Sequence, residues 1–94
     1  MEVKESKAKN KRFVAIFSDG KKVNFGQKNP KIGTYIGHKD KKIRSAWRAR
    51  HEPTEKKFYG DPRRPATLSA FLLWGEATTL KDAIKDYINK FNLK

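Results

Sequence analysis

The sequence predicts an α+β domain, an N-terminal antiparallel β-hairpin packed with about three helices. Three observations carry the prediction. Period-two alternation of apolar residues is confined to residues 12–26, whereas apolar residues recur every three or four positions over 40–51, 67–74 and 79–91. Strands grouped ahead of helices give an α+β arrangement, because a parallel sheet needs the two to alternate. Finally, 94 residues with 36% hydrophobic content suffice for one small core and no second one.

Residues 1–12 contain five basic side chains, two Glu and almost no large apolar group, so they are expected to form an extended basic tail on a body spanning 13–94. From Arg12 to Ser18, Phe13, Ala15 and Phe17 alternate with Val14 and Ile16 in β-branched and aromatic residues, which is a strand. Asp19-Gly20 suits a two-residue turn of the primed type, and Val23 and Phe25 face alike on the returning strand. Gln27 to Gly33 reads as a loop, and the short β-prone Thr34–Ile36 is a candidate third strand.

Asp40 to His51 is helical, with Ile43, Ala46, Trp47 and the stem of Arg50 on one side and Lys41, Arg44 and Arg48 on the other. Pro53 is expected to stop it. Glu52 to Pro65, with three prolines, reads as a linker whose packing handles are Phe58 and Tyr59. A short helix over Thr67–Trp74 follows, then one capped by Thr79 with Asp82 three residues on. Leu80, Ala83, Ile84, Tyr87, Ile88 and Phe91 form the apolar stripe of the latter. Phe13, Phe17, Phe25, Trp47, Phe71, Tyr87 and Phe91 all fall on the apolar side of their elements and are expected in the core.

The formal net charge is +13, and self-repulsion of that size favours a negative partner, either a polyanion or an acidic protein surface. Residues 31–51 hold seven basic residues and one acid. The candidate binding residues are therefore Lys41, Arg44 and Arg48, with Lys4, Lys7, Lys9, Lys11 and Arg12 from the tail. No zinc-finger, RNA-recognition or GxxG pattern is present, so nucleic acid would be held by its backbone, as DNA or RNA alike.

Other classes find little in the sequence. Without cysteine there is no disulfide, thiol nucleophile or thiolate zinc site. His38 and His51 stand 13 apart with no ligand pattern between them, the serines lack a nucleophile elbow, and the glycines spell no phosphate loop. A non-enzymatic protein with no cofactor and no metal is expected. The longest apolar run, Phe71–Trp74, is far too short to cross a bilayer, and the N-terminus MEVKESKAKNK lacks the apolar core of a secretory signal.

Several short motifs then occur in order: Ser18-Asp-Gly-Lys-Lys-Val-Asn-Phe-Gly26, Tyr35 with His38-Lys-Asp40, Arg44-x-x-Trp47-x-x-Arg50-His51, Leu72-Leu-Trp74, and Thr79-Leu-x-x-Ala-Ile-x-Asp86. Over about residues 12–91 this series resembles a family of small basic proteins of unknown function encoded by large DNA viruses of algae and protists. Asn29–Gly33 looks longer than that family's usual link, and the segment before Leu72 carries less tryptophan. The resemblance implies a viral protein, made in the cytoplasm of an infected cell and carried in the virion. The leading expectation built on it is a minor capsid protein that cements major or minor shell proteins through the basic residues, with Tyr59 and Trp74 exposed as interface anchors. The alternative is a sequence-nonspecific nucleic-acid-binding protein that packages the genome.

Overall fold

The computed structural model describes residues 1–27 and 33–93. Three antiparallel strands come first, β1 (Glu2–Glu5), β2 (Lys11–Ile16) and β3 (Lys22–Gln27), in spatial order β1-β2-β3. Four α-helices follow among the described residues: α1 (Tyr35–His38), α2 (Lys41–Glu55), α3 (Pro65–Leu68) and α4 (Leu80–Lys90). The fold is α+β with an N-terminal hairpin, as the grouping of periods predicts.

The central strand shows why the alternation was informative. Phe13 pairs with Phe25 across β2 and β3, and Ala15, Phe17 and Phe25 are buried together under α3, α4 and the segment between them. Burial of a side chain like that of Phe25, at 0% exposure, contributes about 2–3 kcal/mol. All seven aromatics expected in the core lie in it or pack against it. On α4, Thr79 Oγ1 accepts from the Asp82 N–H at 3.2 Å, and Ala83 and Tyr87 are the fully buried members of the stripe.

Four local expectations are corrected. The N-terminal residues are not a tail: Glu2 to Glu5 pair with Ile16 to Phe13, so the anticipated boundary at Phe13 falls inside β2. Val3 and Met1 pack on the core from this strand, and one Val in a four-residue strand is too sparse a pattern to register as alternation. The third strand is thus β1, while Thr34–Ile36 opens the helical turn α1. The hairpin turn is not the two-residue primed type, which would need positive φ at Asp19. Gly20 alone has it (φ +88°), the Gly20 N–H donates to Phe17 O, and Phe17 N–H donates to Lys21 O, a three-residue loop closed by a glycine bulge. Lastly, Pro53 lies within α2, on its exposed side, where the carbonyl left without a donor meets water.

Helix α2 begins where Asp40 accepts from the N–H groups of Lys42 (2.9 Å) and Ile43 (3.3 Å). Its inward residues are Ile43, Arg44, Trp47, Arg48, His51, Glu52 and Glu55, while Ala46 and Arg50 are exposed. The packed face is rotated from the predicted one by roughly one residue, about 100°. After α3 the chain widens into a π-helical turn, Ser69–Leu73, closed by the Trp74 N–H on Ser69 O at 3.2 Å. Its C-terminal carbonyls are what turn α2: Arg44 Nε donates to Trp74 O (3.1 Å) and Gly75 O (2.9 Å), and Arg48 Nη1 donates to Ala70 O (3.0 Å) and Trp74 O (2.9 Å). Two guanidiniums therefore cap the end of one helical segment, where backbone carbonyls lack partners and cations are favoured.

Candidate functional site

Residues from both halves of the chain line a cleft. The cleft has a volume of about 550 Å³; Asn10, Lys11, Gln27, Trp47, Arg50 and His51 stand along its sides, and Leu73, Trp74, Pro65 and Ala66 line it from the C-terminal half.

The N-terminal wall is the tip of the β1–β2 connection. Ala8 N–H donates to Ser6 Oγ at 3.0 Å, Lys11 N–H donates to Ala8 O at 3.3 Å, and Asn10 takes the left-handed conformation (φ 65°) that Asn tolerates better than most residues. These bonds present Lys7, Lys9 and Lys11 on one tight, exposed turn, of which Asn10 and Lys11 line the cleft. Arg50, exposed on α2, lines the same cleft. None of these four cations has a carboxylate partner among the described residues.

The α2 wall carries a ladder of rings. His51 stacks on Trp47 (centroids 4.1 Å, planes 18° apart), Trp47 stacks on Trp74 (4.9 Å, 7°), and Trp74 meets His38 (5.5 Å, 56°). His51 is i+4 from Trp47, so the helix itself sets their stack, while Trp74 joins from the end of the π-turn. Glu55 Oε2, 2.8 Å from His51 Nδ1, holds the terminal ring in plane. At the other end, His38 Nδ1 accepts from the Asp40 N–H at 2.9 Å, fixing the joint between α1 and α2.

The expected site residues divide into three groups. Lys7, Lys9 and Lys11 are together and exposed, and Lys41 is exposed without an ion pair at the start of α2. Lys4 is exposed but pairs with Glu2 at 3.1 Å, and Arg12 is half-buried, donating to Thr34 Oγ1 at 3.0 Å and lying 4.8 Å over the Phe13 ring. Arg44 and Arg48 do not form the expected solvated cationic face. They bind backbone carbonyls, and the Arg48 side chain, also 3.2 Å from Glu52, is 18% exposed.

The two anticipated interface aromatics are also corrected. Trp74 is 4% exposed, held between Trp47 and His38, and Tyr59 is 9% exposed, edge-on to Phe71 at 5.4 Å. Burial pushes the Tyr59 hydroxyl to a higher pKa, Glu55 adds to this, and the hydroxyl has no partner among the described residues. Arg50, His51, Asn10 and Gln27 were missed as site residues. The spacing Trp47-x-x-Arg50-His51 was the available signal, since i+3 and i+4 share a helix face.

A second depression, of about 390 Å³, lies on the other flank of α2 between Arg44, Arg48 and Lys90 on one hand and Glu76 and Asp86 on the other. Three cations and two acids share this lining, and Arg44 and Arg48 are bound to backbone carbonyls. Among the described residues, no group of three or more His, Asp and Glu is placed to hold a metal ion, and no helix is long and apolar enough to cross a membrane.

The profile of a family of unknown function, DUF5754, matches residues 1–51. The chain belongs to this family. The DUF5754 stretch contains the sheet, the lysine-bearing turn and α2 as far as His51, hence the whole cationic wall of the cleft and the exposed end of the ring ladder. Trp74 and the cleft floor come from the residues beyond it. No curated protein and no solved structure matches the chain.

Proposed function

We propose that this protein is a non-enzymatic, sequence-nonspecific nucleic-acid-binding protein, with its phosphate-binding surface at the mouth of the cleft. The observation that carries the reading is that Lys11 and Arg50, both exposed, line one concave surface, with Lys7 and Lys9 exposed on the turn that carries Lys11 and none of the four paired with a carboxylate among the described residues. Cations arranged in this way bind phosphates by displacing condensed counterions, with no base readout required. In a viral setting, which the motif series suggests, such a protein packages the genome.

The second reading is a minor capsid protein that binds acidic shell proteins through the same cations. It loses Tyr59 and Trp74 as anchors, but the outer face of the sheet offers Val14 and Ile16, both half-buried and neither packed on the core. Recovery of the protein in the shell fraction of nuclease-treated particles favours this second reading, and loss from that fraction removes it.

The deciding experiment is anisotropy of a labelled oligonucleotide at two ionic strengths. Binding should weaken steeply with salt, and combined Lys7→Gln, Lys9→Gln, Lys11→Gln and Arg50→Gln should flatten the log–log slope by up to about 3 to 4, about 0.9 for each phosphate contact removed. A control with Lys81→Gln and Lys85→Gln on α4 should keep the wild-type slope. Absence of binding at low salt, or equal loss in the control, overturns the proposal.

A further inference from the structure

We infer that the cleft accepts an unstacked base, so that the protein prefers single-stranded nucleic acid, with the base stacking on the open end of the His51–Trp47–Trp74 ladder. This rests on the nucleic-acid reading above and adds to it a ligand class that phosphate binding alone does not specify.

The ladder has one free end. Trp47 stacks with both His51 and Trp74, and Trp74 is 4% exposed. His51 has Trp47 on one face, no ring among the described residues on the other, and a side chain 39% exposed within the cleft lining. Glu55 holds the imidazole in its plane, so a planar ligand meets a fixed surface with little ordering cost. The next place in the stack is thus preformed.

The surroundings match a nucleobase better than a duplex backbone. Asn10 and Gln27 bring amide donors and acceptors to the cleft lining, while Pro65, Ala66 and Leu73 are apolar. A polar edge between an apolar bed and a ring platform is the chemistry of a base, and Lys11 and Arg50 line the same cleft, where the flanking phosphates would run. In a duplex the bases are stacked on one another and present no free face. Stacking accepts any base, consistent with a surface that has no readout motif.

The chain's two tryptophans, Trp47 and Trp74, both belong to the ladder, so selectively excited tryptophan emission reports from this cleft. The full-length protein is titrated at low salt with a short oligothymidylate, an abasic strand of the same length and a duplex, following anisotropy and tryptophan emission together. Oligothymidylate should bind about tenfold tighter than the abasic strand, within the range expected for stacking one base, and should alone change the emission. His51→Ala should abolish that tenfold difference while still binding both strands, and His51→Phe, which keeps a ring, should retain it. Far-UV circular dichroism establishes that the variants are folded.

Equal affinity for oligothymidylate and the abasic strand with unchanged emission overturns the inference and leaves phosphate binding intact. A difference that survives His51→Ala overturns it as well, because the base then enters elsewhere. If no strand binds at low salt, the nucleic-acid reading itself fails.

Discussion

Replacing Arg48 by Ala tests whether α2 presents its arginines to partners or uses them to hold the fold. Arg48 Nη1 donates to Ala70 O and Trp74 O at 3.0 and 2.9 Å, and its side chain is 18% exposed. A hydrogen bond from a charged donor contributes about 1.5–3 kcal/mol net, and an orphaned buried carbonyl adds a desolvation cost. Because one nitrogen serves both carbonyls and Trp74 O keeps Arg44, the expected loss is about 2–4 kcal/mol. That is a large share of the roughly 5–14 kcal/mol typical of a chain this size. With a urea slope of about 1–1.5 kcal/mol/M, the unfolding midpoint should fall by about 2 M. Arg48→Lys keeps a charge but not the planar fork and should recover part of the loss, whereas Lys41→Ala, at an exposed position, should stay within about 0.5 kcal/mol of wild type. An Arg48→Ala protein as stable as Lys41→Ala would refute the structural role and return Arg48 to the solvated face.

Removing residues 1–5 should cost about 1.5–3 kcal/mol through lost packing of Val3 and Met1 and should raise amide exchange along β2; unchanged exchange would mean that β1 does not pair in solution. Gly75→Ala should destabilise far more than Gly20→Ala, because a Cβ at Gly75 would meet Phe71 O at 2.5 Å, whereas Gly20 has open space and only its positive φ to accommodate; equal melting points for the two variants would contradict this. Tyr87 donates to Pro62 O at 2.6 Å, and burial raises its pKa well above the ordinary tyrosine value. Its contribution is therefore intact below about pH 10, where the phenol stays protonated in the unfolded chain, and is lost as pH rises toward the folded value. Tyr87→Phe should cost about 1 kcal/mol at neutral pH. It should also make thermal stability decline less steeply above about pH 10, and a decline as steep as wild type would contradict the assignment.

Local pattern made the hairpin and α4 legible, because there the period and the packing are the same fact: Phe13, Ala15 and Phe17 alternate, and Leu80 to Phe91 recur at helical spacing. What could not be read was non-local. Trp74 is buried by a ring 27 positions earlier in the chain, and nothing near Leu72-Leu-Trp74 shows that stack. Arg44 and Arg48 count as polar in any periodicity, yet they face inward because a π-turn elsewhere aims bare carbonyls at them, and this rotates α2 by a residue. β1 was hidden because its single Val finds company only once β2 offers an edge. Of the candidate site, the lysines at 7, 9 and 11 were visible as charge, but their gathering onto one turn depended on Ser6 and on the left-handed Asn10. Arg50 and His51 were visible as residues but not as neighbours of that turn, which lies some 40 positions away in sequence.

The most direct test of the cleft as a nucleic-acid site is a titration of the isotopically labelled chain with a short oligothymidylate, followed by amide and indole chemical shifts. Shifts should concentrate at Lys7 to Lys11, Trp47, Arg50 and His51, with the Trp47 indole N–H among the largest, and α4 should stay still. Shifts concentrated on α4 or on the outer face of the sheet, with the Lys7–Lys11 turn and Trp47 unmoved, would contradict the account.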